Sequence, residues 1–199
     1  MFTEFILPGI LVGIGAAFSP GPILVLTISE TMRGGIRSGF FVALAPSILD
    51  LIFVPISIIV AAAIQSFQPL IGVISLLGAT FLLFLAYQNI TAAKLELYES
   101  VRPSTSLSKA IIADFLNPHL YIFWFSVALP IFAKGNLWGS VLFAASWSFC
   151  TFAGHFTVAL LVTVARMRLQ EYLHWILRIL SIPLILMALL FVREGVKLL

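Results

Sequence analysis

Three things are scarce in this 199-residue chain: charge, cysteine and histidine. Charged residues make up 10% of it, against about 25% in an ordinary soluble domain. Too few polar side chains remain to cover a water-facing surface, which excludes a large soluble enzyme and a disordered tail. A single cysteine, Cys150, excludes a disulfide framework, a CxxC pair, a cysteine-rich zinc site and any thiol relay that needs two sulfurs. No run of five basic residues occurs, so a nucleic-acid partner has no footing. Neither HExxH nor GxSxG appears, which removes the commonest metalloprotease and hydrolase signatures.

What is abundant is apolar: 61% of the residues are hydrophobic and the mean hydropathy is +1.14. The chain reads as an integral membrane protein with the lipid bilayer as its surroundings. Phe5 to Ser29 carries no charge, and behind Met1-Phe-Thr-Glu4 it is too long for the apolar core of a signal peptide, so a retained first span is expected. From Ser38 to Ala93 the only charge is Asp50; the stretch is long enough for two spans, parted at Gln65 to Pro69. Ala110 to Ala133 holds only Asp114, Gly135 to Ala165 holds none, and a last span runs from about Leu173 to Val192. The expected fold is all-α, with six transmembrane helices.

Basic residues orient the spans. The loops after spans one, three and five carry Arg33, Arg37, Lys94, Arg102, Lys109, Arg166 and Arg168, with Arg178 just beyond. The other side carries Lys134, Arg193 and Lys197. Eight against three places both termini outside the cytoplasm.

The chain divides into two similar halves: residues 1–92 and 109–199, joined by a polar cytoplasmic linker over 93–108. Gly35 and Gly39 match Gly135 and Gly139, offset by 100 positions, and Ser19-Pro20-Gly21-Pro22 matches Asn117-Pro118, offset by 98. Three spans per half is an odd number, so the halves enter from opposite sides, forming an inverted repeat of the kind common in secondary transporters. Proline removes a donor and clashes with the preceding turn, so spans one and four are expected to be broken at these motifs. Such a break is tolerated only where protein or a watery cavity satisfies it, and it exposes a helix N-terminus able to hold a carboxylate.

Those motifs resemble the LysE/RhtB amino-acid exporters: Ser19-Pro-Gly-Pro22, Gly34-Gly-Ile-Arg-Ser-Gly39, Asp50, Leu77-Gly-Ala-Thr-Phe-Leu82, Leu116-Asn-Pro118 and Leu129-Pro-Ile-Phe132. The likeness covers the whole chain. It implies export of amino acids or related small polar solutes across the cell membrane, driven by proton exchange, without enzymatic chemistry or cofactor. Two positions depart from the family pattern. Pro46 and Leu49 stand where glycines are usual before the acid, and His119 stands where a lysine usually follows Asn-Pro.

Candidate substrate-binding residues are therefore Ser19, Pro20, Gly21, Pro22, Asn117, Pro118 and His119. Candidate proton carriers are Asp50, Asp114 and His155. Asp50 lies about twelve residues into span two, where a carboxylate costs roughly 2.5–3.5 kcal/mol to insert. In low dielectric it can be held neutral, and so can bind and release a proton. Pro46 shares its face. Asp114 is expected nearer the cytoplasmic interface, at a different depth. His155 shares a helix face with Thr151 and Ser148. A divalent-metal exporter using Asp50, Asp114, His119 and His155 is the alternative. Trp124, Trp138, Trp147 and Trp175 read as packing or interface anchors, Cys150 as a buried hydrophobe and Arg178 as snorkelling. Gly9, Gly13 and Ala17 form a small-residue ridge suited to close helix packing, inside the chain or in a homodimer.

Overall fold

The computed structural model describes residues 1–91, 106–134, 136–164 and 169–199; at 169–174, 176, 177 and 180 only the backbone is described. The expected linker up to residue 105 lies outside these, as do Lys94, Arg102, Gly135, Arg166 and Arg168.

Every regular element among the described residues is helical. One π-helical turn, Phe2–Ile6, leads into α1 (Leu7–Ala17), followed by α2 (Pro22–Ile64) and α3 (Gln68–Thr91). Then come α4 (Ser106–Phe115) and α5 (Pro118–Ile122), which passes through a π-helical turn (Phe123–Ala128) into α6 (Leu129–Phe132). The chain closes with α7 (Leu137–Val164) and α8 (Leu169–Leu198). Proline marks the starts: Pro8, Pro22, Pro118 and Pro130 all sit in first turns, where a missing N–H costs nothing.

The 43 residues of α2 would stretch about 65 Å if straight, twice a bilayer core. They are not straight. Gly35 has φ +71°, a left-handed conformation that a side chain would resist. The chain folds back there. Thr31 and Gly39, eight residues apart, are so close that a Cβ on Gly39 would lie 3.3 Å from that of Thr31. Ile23 likewise packs in one cluster with Val42 and Ala45. Helix α2 is thus two antiparallel arms joined at Gly35.

By length and composition, Pro22–Ile64, Gln68–Thr91 and Leu137–Val164 are each able to cross a membrane. Ser106–Phe115 with Pro118–Phe132, bent by 59° at the break, makes a fourth. Large apolar side chains point outward along these helices, with Leu51 76%, Ile59 68% and Phe149 70% exposed. An outward apolar face of this extent belongs in lipid, so the chain is an integral membrane protein.

Two tight seams hold the bundle. Along α1, the ridge of Gly9, Gly13 and Ala17 lies on α7: a Cβ at Gly13 would stand 3.0 Å from the Trp147 carbonyl, and one at Gly154 would meet Ala17 at 2.5 Å. The ridge is therefore used inside the chain. The second seam joins α3 and α8, where Gly72 and Gly195 each approach the other's carbonyl oxygen to 2.9 Å from a would-be Cβ. Between the seams lies the core, built on Trp124, Phe143, Leu82 and Val127.

Candidate functional site

Both helix breaks open onto one cavity of about 700 Å³, counting its mouth. Ser19, Pro20, Gly21 and Pro22 line it from the first break, and Asp114, Asn117 and His119 from the second. Pro46 and Asp50 enter from the second arm of α2, and Thr151 and His155 from α7. Of the residues expected from the sequence, only Pro118 is not on the wall; it starts α5 behind it. The remaining wall is apolar, with Phe81, Leu85, Leu120, Phe123 and Trp147 prominent.

The first break leaves its polar groups free. Helix α1 ends at Ala17 and α2 begins at Pro22, with Gly21 in extended conformation as N-cap and no side chain capping it. The first bond into the new helix is from the Val25 N–H to the Gly21 carbonyl, at 3.1 Å. The N–H groups of Ile23 and Leu24 thus precede the ladder and find no backbone acceptor across the break. Ser19 is 9% exposed and its Oγ has no hydrogen-bond partner. A buried hydroxyl and two unmet amides at a helix N-terminus amount to an anion-receptive corner.

The second break satisfies itself. Asn117 is the N-cap of α5, and its Oδ1 accepts the His119 N–H at 3.1 Å. The Asn117 side chain thus already occupies this amide. With Oδ1 so engaged, the Asn117 amide faces the Asp114 carboxylate. The His119 ring packs edge-on against Phe81 at 5.5 Å and Phe84 at 5.7 Å.

Asp50 is 4% exposed and accepts a hydrogen bond from Ser148 Oγ on α7. The Trp147 and Trp124 indoles approach the same carboxylate, although the Trp124 N–H closes no hydrogen bond. These two tryptophans are cavity and core residues, not interface anchors; Phe123 stacks on Trp147 at 3.6 Å. Trp138 and Trp175 do face outward, and Arg178 stands over Trp175 at 5.3 Å.

Asp114 is 6% exposed, not solvated at an interface, and lines the same cavity as Asp50. The His155 Nδ1 lies 2.9 Å from the Thr151 carbonyl, an acceptor only, so Nδ1 carries the hydrogen and Nε2 is left as an acceptor. Cys150 is only partly buried.

Ser148, Thr151 and His155 form the polar stripe of α7, and their i, i+3, i+7 spacing was its only signal in the sequence. Among the described residues, no three His, Cys, Asp or Glu side chains gather as a cation site would require. A second, wider cavity of about 1200 Å³ lies among Glu4, Gln68, Lys134 and Glu194.

Broken helices that frame an internal cavity in a helical membrane protein are the build of small-solute transporters. The comparison with known families agrees: the LysE type translocator family matches residues 14–195, and the chain belongs to that family. Membership implies movement of small solutes across a membrane rather than enzymatic chemistry. No curated protein and no solved structure matches the chain significantly.

Proposed function

We propose that this protein exports amino acids or related small polar solutes from the cytoplasm, in exchange for protons. The observation that carries the reading is the pairing of opposite chemistries in one cavity. The corner at Ser19, Ile23 and Leu24 offers a hydroxyl and two amide donors, while Asp114 and Asp50 offer carboxylates. A zwitterion complements both: its carboxylate at the first break, its ammonium at Asp114. Asp50, with Ser148 beside it, exchanges the proton, and His155 presents a second titratable nitrogen to the same space.

Six crossings in two inverted halves support alternating access by rocking one half on the other. In this reading span one is α1 with the first arm of α2, and span two is the second arm. Span three is α3, span four is α4 to α6, and spans five and six are α7 and α8. The fold-back at Gly35 and the matched breaks support it. Both termini then lie outside, in the cytoplasmic membrane.

The test is efflux from proteoliposomes loaded with basic, small neutral and branched amino acids, cadmium and manganese, with and without a pH gradient. Gradient-dependent amino-acid efflux is expected. Efflux of metal alone would replace the reading with the cation exporter.

A further inference from the structure

Glu30 is a buried carboxylate that the transport reading does not use. It lies on the first arm of α2, two turns beyond Ile23, toward the end that carries Arg33 and Arg37. It is 5% exposed. Its Oε2 accepts from Ser106 Oγ at 2.8 Å, and its Oε1 from Lys109 Nζ at 3.4 Å. Both partners stand on α4, so the contact ties together the two half-helices that run from the breaks to the same end of the molecule. Between this contact and the cavity lies a thin apolar cluster of Ile23, Val42, Ala45 and Ala110. Ile23 belongs to both the cluster and the cavity wall.

An ion pair with Glu30 buried and Lys109 a quarter exposed is a poor choice for holding two helices together permanently, because apolar side chains of similar size do so equally well. It differs from them in how it opens. When the helices part, water solvates both charges and returns much of what the pair loses, whereas an apolar seam gains nothing from water.

We propose that Glu30, Ser106 and Lys109 are the latch of a cytoplasmic gate. Closed, as here, the latch holds α4 against the first arm of α2 over the apolar cluster and shuts the cavity from the cytoplasm. Solute loads when the latch parts. The direction of opening rests on the exporter reading; the latch itself rests on the contacts.

The full chain carrying Cys150→Ala and one reporter, Leu85→Cys on the cavity wall, tests this in inverted membrane vesicles. The readout is the rate of labelling by a membrane-impermeant thiol reagent. Glu30→Gln with Lys109→Met, an uncharged pair of similar shape, is expected to raise labelling from the cytoplasmic face by about tenfold. The exchanged pair, Glu30→Lys with Lys109→Glu, is expected to bring it back toward the starting rate. Unchanged labelling in the uncharged pair would make the contact a static strut and overturn the proposal. Should that pair misfold, Ser106→Ala keeps the ions and removes one hydrogen bond: a rise of a few fold supports the gate, and none counts against it. Labelling does not depend on transport. Absence of efflux from the unaltered chain would therefore sink the exporter reading while the gate still stands or falls on its own data.

Discussion

The two helix breaks open onto the same cavity, yet they differ in which polar groups they leave unpaired. At Ser19 to Pro22 the new helix starts with no side chain over it, with two amides unmet and a buried hydroxyl unpaired. At Asn117 the cap is built in, and the same side chain reaches Asp114. Repetition of a backbone device therefore does not mean repetition of its use. In the proposed exporter the first break would receive the solute, and the second would hold the Asp114 carboxylate in place.

The sharpest cut at this division is outside both breaks. Asp50→Asn is expected to lower gradient-driven efflux on the order of a hundredfold while leaving a folded protein, because a neutral amide keeps the shape and loses the proton. Unchanged coupling to the pH gradient would remove Asp50 from the proton path.

Ser19→Ala tests the first break directly. Loss of a hydrogen bond to a charged group costs about 1.5–3 kcal/mol, so KM for efflux should rise by at least about tenfold with thermal stability kept.

Asn117→Ala should do the reverse. Removing an N-cap costs about 0.5–2 kcal/mol of stability, seen as a lower Tm in detergent, with KM less affected than in Ser19→Ala. An Asn117 variant that loses affinity without losing stability would erase the distinction between the breaks.

The smallest effect on transport is expected at the turn between the arms of α2. Gly35→Ala adds no clash, since nothing lies within 4 Å of its Cβ, but φ +71° with ψ −170° is a backbone essentially reserved for glycine and disfavours it by about 1–3 kcal/mol. A modest fall in Tm with unchanged KM is the expected result.

Much of this was legible in the sequence for simple reasons. Pro-Gly-Pro cannot continue a helix, a lone acid in an apolar run must be sheltered, and both rules act locally. What escaped notice depends on geometry that local rules do not reach. Asp114 was placed near an interface by counting along its helix; its burial on the wall it shares with Asp50 depends on how α4 packs, which no count along one helix shows. Self-capping at Asn117 did have a signal, an Asn followed by Pro at the first helical position, the standard order for a capped start. Glu30 follows the uncharged stretch that ends at Ser29 and was not singled out; its contacts are with Ser106 and Lys109, more than seventy positions away. Ser148 became a partner of Asp50 only once α7 was laid beside α2.

The seam between α1 and α7 has a mechanical consequence. Where Gly9, Gly13 and Ala17 meet Trp147, Cys150 and Gly154, backbone rides on backbone with almost no side chain between them. The place of Ser19 on the cavity wall is therefore set by backbone contact a turn or two before it, and a methyl group added at Gly13, 2.9 Å from the Cys150 Cβ, would displace the helix that carries the break.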